Sequence, residues 1–250
     1  GRSEPTDVGI ISNCKTALEA IIEGIEPVID PSVASLRTAQ ITSEAKEIIS
    51  SYEKSVQEKW DHSPMSPARM MFELSNAVPN NAIIVDDSVS NRSALRHYFQ
   101  GKERGDIRGV RGQSIGGGIG ATMGTQCANS DRPVFGIIGD GSAMMTIQGL
   151  WTAANDDIPC VFVICNNGMY RVLKVNFNVY QEEILEQKET AGENLLHSNF
   201  DTPFDISQIA KGMGLYSERI TNPNDISAAV TRALETRKPS ILDIVIDGSL

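Results

Sequence analysis

Asp140 and Asn167 stand 27 residues apart, and each follows directly on an apolar run of strand character. The first run is Val134-Phe135-Gly136-Ile137-Ile138, leading into Gly139-Asp140-Gly141-Ser142. The second is Val161-Phe162-Val163-Ile164-Cys165, leading into Asn166-Asn167-Gly168. The intervening segment from Ser142 to Asn155 reads as one helix, stopped by Pro159. A strand–helix–strand unit of this length favours a parallel crossover, which brings both strand ends to one edge of a sheet, where α/β ligand sites form. One carboxylate and one amide oxygen then face a common crevice. Two hard oxygen donors beside a helix N-terminus suit Mg²⁺ with a phosphate, the ion taking the oxygens and the helix amides taking the anion.

The elements that must position these residues are legible along the chain. Residues 8–12 read as a short strand. Lys15 to Ile25 reads as a helix with Leu18, Ile21, Ile22 and Ile25 on one face. Residues 42–60 read as a second amphipathic helix, and Ser66 with Pro67 as the cap and first turn of a third, running to about Val78. Beyond Ala82, strands at 82–86, 133–138, 160–165, 215–220 and 241–246 alternate with helices at 91–99, 115–128, 142–155, 205–213 and 224–236. That alternation predicts an α/β fold, a largely parallel sheet with helices on both faces. Residues 176–203 are polar and poorly periodic, the pattern of a lid or loop. A division near residue 62 gives a helical segment, 1–61, and an α/β domain, 62–250.

A net charge of −10 and a pI near 4.8 argue against a nucleic-acid or anionic-membrane surface. No run approaches the length of uninterrupted apolar sequence that a membrane helix needs, and the N-terminus has no signal-peptide pattern. Cys14, Cys127, Cys160 and Cys165 lack Cys-x-x-Cys spacing, which suits core thiols in a reducing cytosol, and a cytoplasmic location is expected. Cys160 and Cys165 have opposite parity on one strand and should point to opposite faces.

Gly139-Asp-Gly-Ser-Ala-Met-Met-Thr-Ile-Gln-Gly-Leu-Trp-Thr-Ala-Ala154 and Ile158-Pro-Cys-Val-Phe-Val-Ile-Cys-Asn-Asn-Gly-Met-Tyr170 resemble the cofactor motif of the thiamine-diphosphate enzymes. That motif is Gly-Asp-Gly, a spacer of similar length, then Asn-Asn. The closest resemblance in tone is to the benzoylformate decarboxylase branch. It implies a lyase dependent on thiamine diphosphate and Mg²⁺ and acting on a 2-oxo acid. An acetolactate synthase-type carboligase is the enzymatic alternative. The first 60 residues look like the tail of the family's middle domain with its connecting helix, and 62–250 like its diphosphate-binding domain. The family's amino-terminal pyrimidine-binding domain has no counterpart here. The chain thus looks like the second half of a longer polypeptide, inactive alone, that works as a homodimer or homotetramer.

Carried over by position, the resemblance makes Asp140 and Asn167 side-chain ligands of Mg²⁺ and the carbonyl of Met169 a third. Gly139, Gly141 and Ser142 grip the diphosphate, through amides and the Ser142 hydroxyl, with Tyr170 beside them. Ser90 and the backbone of Val89 supply further donors. Asp86 and Asp87 should point away from the diphosphate or contact the partner domain. In Gln113-Ser-Ile-Gly-Gly-Gly-Ile-Gly120, Ile115 takes the place of the apolar wedge that bends the cofactor. The carbonyl of Gln113 accepts from its amino group, so Ile115 and Gln113 are the catalytic candidates. The family usually has Gly where Gln113 stands and Pro where Gly120 stands. Leu173 and Asn176 fall on the substrate pocket, the latter where an aromatic is usual. None of His62, His97 and His197 corresponds to a catalytic histidine of the family.

A Rossmann-type nucleotide-binding domain is the runner-up, because Gly116-x-Gly-x-x-Ala121 is a loose dinucleotide fingerprint. The fingerprint requires a strand just before it, and 106–114 reads poorly as one. A Walker loop is excluded, since no Gly-Lys-Ser/Thr occurs.

Overall fold

Apolar runs with little polar interruption make strands that are buried on both faces, and four of the six described strands are of this kind or close to it. The computed structural model describes residues 4–100, 106–110, 112, 114–186 and 195–249. They fall into two compact units, Gly1–Ser55 and Val56–Leu250. The first holds helix α1 (Cys14–Ile25) and most of α2 (Pro31–Glu58). Asn13 caps α1 by accepting from the amides of Lys15 and Thr16. The strand expected at 8–12 is not formed, because no strand lies beside it among the described residues. Helix α2 starts eleven residues before the expected 42. Asp30 accepts from the amide of Ser32 at 2.8 Å and Pro31 opens the first turn, a start signal that the weak apolar pattern of 31–41 obscured.

The second unit is a six-stranded, all-parallel sheet. Its strands are β1 (Ile83–Asp87), β2 (Ile107–Gly109), β3 (Val134–Gly139), β4 (Val161–Asn166), β5 (Tyr216–Ile220) and β6 (Ser240–Val245), in the order β2-β1-β3-β4-β6-β5. Strand parity sorts the core into two layers. Ile84, Phe135, Ile137, Val163, Cys165 and Leu242 pack on α3 (Pro67–Ala77), α4 (Arg92–Tyr98) and α10 (Ile226–Glu235). Ile83, Val85, Ile138, Cys160, Phe162, Ile164 and Ile241 pack on α5 (Gly118–Ala128), α6 (Asp140–Met145), α7 (Gly149–Asn155) and α9 (Ile206–Gly212). Cys160 and Cys165 therefore lie on opposite faces, both as free thiols.

The chain leaves β1 to one side for β2 and returns on the other for β3. The strand order reverses between β1 and β3, where a crevice opens at the carboxyl ends. Three differences from expectation bear on that crevice. Strand β2 exists although its sequence, Ile107-Arg108-Gly109, is a poor strand former. It is a three-residue edge held by register against Ile84 to Asp86. Eight residues separate it from α5, so the strand-to-helix turn of a dinucleotide site is not made. The single helix expected over 142–155 is two. Thr146 leaves helical geometry at φ −139° and donates its hydroxyl to the carbonyl of Gly116 at 2.7 Å, tying the break to the glycine-rich segment. The segment expected as a loop from 176 begins as helix, α8 (Arg171–Val179) running into one π-helical turn at Tyr180–Ile184.

Close packing between β3 and α5 can be tested. A Cβ on Gly136 would lie 2.2 Å from the Thr122 hydroxyl, which itself donates to the carbonyl of Gly118 at 2.7 Å. Gly136→Ala is expected to destabilise the chain by about 2 kcal/mol through overpacking. Adding Thr122→Ala should recover part of that loss, and thermal unfolding followed by circular dichroism measures both.

Candidate functional site

The crevice holds a cavity of about 330 Å³, lined among others by Ser88, Val89, Ser90, Asn91, Ile115, Gly139, Asp140, Gly141, Ser142, Asn167, Met169, Tyr170 and Leu173. Residues from the ends of β1, β3 and β4 and from the glycine-rich segment thus converge as expected. Gln113 lies outside the described residues. Asn176 is not in the wall; it sits one turn beyond Leu173 on α8, turned to solvent. His197 is also exposed and lines nothing here.

Asp140 opens α6 directly after β3 and is almost wholly buried, at 2% exposure. Its Oδ1 accepts from the amide of Gly141 at 2.7 Å, and its Oδ2 from the amide of Gly168, beyond the end of β4, at 2.7 Å. Burial pushes its carboxyl from 3.8 up to about 6; the amides of Gly141, Gly168 and Asn167 pull it back and the charge of Asp243 adds to the rise. Asn167 turns its Oδ1 onto the amide of Met169 at 3.2 Å. Gly168 takes φ +68°, the left-handed turn that lets β4 pass into this loop.

Asp86 and Asp87 do not reach outside the domain. Asp86 pairs with Arg92 at 2.9 Å and accepts from the amide and hydroxyl of Ser88. Asp87 accepts from the Ser142 hydroxyl and from the amide of Gly118 at 2.9 Å. Burial raises the Asp87 carboxyl, with those hydrogen bonds opposing and the Asp86 charge reinforcing. Neither aspartate lines the cavity. Ser142 also accepts from the amide of Gly116 at 2.8 Å, so its hydroxyl proton is committed to Asp87 and it offers the cavity its backbone amide. Nothing in the sequence signalled this link, which joins β1, α5 and α6.

Two observations fit the cavity to an anionic ligand with a hard cation. Asp140 and Asn167 line the cavity with a carboxylate and an amide, so a metal held by them would have oxygen donors, which suit Mg²⁺ better than zinc or copper. The one thiol in the wall, Cys165, is kept protonated by burial, its pKa well above the usual thiol range. Second, Asn91, missed in the sequence although it adjoins Ser90, is 2% exposed and its Oδ1 has no hydrogen-bond partner. Its Nδ2 makes a 3.4 Å contact to the carbonyl of Ser88, so the unpartnered atom is an oxygen that a cation or a donor at the cavity would satisfy. Val89, just before, holds φ +50°, a strained setting for a β-branched residue. Gly141 is required by close approach: a Cβ there would lie 2.3 Å from the Tyr170 ring, which packs edge-on against Phe200 at 4.8 Å.

Asp140 makes a signed prediction for the unliganded protein. A carboxyl raised on folding favours the fold at low pH, and that contribution is lost as pH rises through the folded value, here about 6. The stability of the natural chain relative to Asp140→Asn should therefore increase as pH falls from 7.5 to 4.5. The change is about 3 kcal/mol at most, read from denaturant midpoints at each pH in the absence of metal and ligand.

Comparison with known proteins agrees with this geometry. The family model for the thiamine pyrophosphate enzyme C-terminal TPP binding domain matches residues 90–244. Benzoylformate decarboxylase of Pseudomonas aeruginosa is 26% identical over 241 residues, covering 96% of this chain and 40% of that protein. The acetolactate synthase isozyme 2 large subunit of Escherichia coli is 27% identical over 182 residues, covering 71% and 31%. The solved thiamine diphosphate-dependent 4-hydroxybenzoylformate decarboxylase of Rhodococcus jostii superposes with a TM-score of 0.62 at 29% identity, covering 75% of this chain and 34% of that one. The chain thus spans two fifths or less of the length of these relatives. The described residues contain no helix long and apolar enough to cross a membrane. With residues 90–244 matched by that family model, the chain belongs to the thiamine pyrophosphate enzymes, as their C-terminal TPP-binding domain.

Proposed function

We propose that this chain forms the metal- and diphosphate-holding wall of a Mg²⁺-dependent lyase that decarboxylates a 2-oxo acid, in the manner of benzoylformate decarboxylase. The observation that carries the reading is the meeting of the Asp140 carboxylate and the Asn167 amide in one cavity, across adjacent strand ends. Bound thiamine diphosphate would supply the nucleophilic carbon and the electron sink for loss of CO₂. The chain's own residues bind and orient. Asp140, Asn167 and the Met169 carbonyl hold Mg²⁺. The amides of Gly141 and Ser142, the Val89 backbone and the Ser90 hydroxyl hold the diphosphate. Tyr170, lying over Gly141, keeps that turn in place. Ile115 wedges the cofactor, and Leu173 forms an apolar wall for the substrate, both half exposed at the cavity.

The acetolactate synthase relative supports a carboligase as the second reading, and the two differ in product rather than in this wall. A pyrimidine-binding domain outside this chain would close the site in a homodimer or homotetramer, so this segment alone would be inactive. Two buried free thiols fit a cytoplasmic setting.

Calorimetry on the complete protein tests the metal role. Asp140→Ala should weaken Mg²⁺-dependent thiamine diphosphate binding by about 100-fold or more; unchanged affinity overturns the assignment. Ile115→Ala should lower kcat about tenfold or more while cofactor affinity moves by less than about threefold, because a wedge acts on orientation and not on the anchor. Product analysis with aryl and alkyl 2-oxo acids separates aldehyde release from carboligation.

A further inference from the structure

Behind the cavity, β6 carries a carboxylate to which none of these roles gives a part. Asp243 has no exposed surface. Its Oδ1 accepts from Nδ2 of Asn166 at 2.8 Å. Its Oδ2 accepts from the Arg219 guanidinium at 2.9 Å and from the amides of Ile206 and Ser207 at 3.2 and 3.3 Å. The sheet register sets Asp243 beside Ile164, so it and Asn166 share a face and the carboxylate reaches one pleat along the neighbouring strand. The same Asn166 amide donates to the carbonyl of Phe204 at 3.0 Å. One buried charge thus grips the end of β4 and the first turn of α9, and Asn166 and Arg219, both bonded to it, hold the carbonyl of Phe204 two residues ahead of that helix.

Both gripped ends lead into the cavity. Asn166 is followed by Asn167 and by Gly168, whose amide meets Asp140. Phe204 packs at a tilt on Phe200 at 5.0 Å, and Phe200 edge-on against Tyr170 at 4.8 Å. The backbone repeats the link, because Phe200 donates to Gly168 at 2.8 Å and Tyr170 to Ser198 at 2.7 Å.

We propose that Asp243 is a positioning residue for the metal site, acting through Asn166 and Phe204 to aim Asn167 and to seat the Tyr170 ring over Gly141. This rests on the Mg²⁺ reading above. Hydrogen-bond chemistry gives a selective variant. In Asp243→Asn the amide oxygen can keep Arg219, Ile206 and Ser207, but the new NH₂ then faces the NH₂ of Asn166. Turning Asn166 over would point its oxygen at the Phe204 carbonyl instead. Either way the tie to Asn166 is lost. Asn166→Ala cuts the same tie from the other side and leaves Asp243 its three remaining donors.

The experiment titrates Mg²⁺ into the complete protein at saturating thiamine diphosphate, by calorimetry, at a temperature where circular dichroism shows every variant folded. Asp243→Asn should weaken Mg²⁺ affinity about tenfold. Asn166→Ala should do the same, with the double variant within about twofold of either single one. Asp205→Ala, which removes the α9 cap accepting from Gln208 at 3.0 Å, should lower Tm and leave Mg²⁺ affinity within about twofold. Natural Mg²⁺ affinity in Asp243→Asn, or fully additive losses, overturns the proposal. If Asp243→Asn does not fold, Asn166→Ala alone decides in the same way. Absence of any Mg²⁺-dependent binding by the natural protein overturns the function reading itself, a result distinct from natural binding that the variants share.

Discussion

Four carboxylates at the carboxyl ends of parallel strands are almost cut off from water: Asp86 and Asp87 on β1, Asp140 after β3, and Asp243 on β6. Burying a negative charge is unfavourable unless hydrogen bonds or a cation compensate it, so each must be answered locally. Asp86 has Arg92, and Asp243 has Arg219. Asp87 has a hydroxyl and an amide. Asp140 has the backbone amides of Gly141, Gly168 and Asn167 and, among the described residues, no cation. It is therefore the group on which a metal ion would release the most electrostatic cost, and Asp87 reaches the same helix turn through Ser142.

The two halves of the motif are joined before any ligand arrives. The Gly168 amide bonds to Asp140, so the loop after β4 and the turn after β3 are one hydrogen-bonded piece. The Asp87–Ser142 contact adds the end of β1, and the Ser142–Gly116 contact adds the glycine-rich segment. Every wall of the cavity is thus linked to another by a bond that no ligand makes. This is the pre-organisation that lowers the ordering cost of binding.

Much of this was legible in the sequence because it depends on local pattern. Apolar runs marked four strands, and the spacing of helix and strand a fifth, all to within a residue or two, and the Gly-Asp-Gly and Asn-Asn strings each sit at a strand end that borders the crevice. What escaped depends on contacts distant in sequence. Strand β2 has three weak residues and is held by pairing with β1 rather than by propensity. The break at Thr146 follows from a hydroxyl that reaches Gly116, thirty residues earlier. Asp87 and Asp243 look like ordinary strand residues, and only the register reveals what they hold. Asn176 was placed in the pocket by position in a motif. A helix advances a full turn in that distance, so Leu173 stays in the wall and Asn176 leaves it.

The segment after β6 has a consequence for how the protein can be handled. Ile246 donates to the carbonyl of Asn166 at 2.9 Å, Asp247 donates to Met65 at 2.8 Å, and the carbonyl of Ser249 accepts from Arg171 at 2.9 Å. The Met169 side chain lies against Gly248. These residues are far along the chain from either string of the motif, yet they form the outer brace of the loop that carries Asn167 and Met169. An affinity tag, a fusion joint or a cut placed immediately after β6 would therefore act as a site mutation, loosening the floor of the cavity while every residue of the motif stayed unchanged.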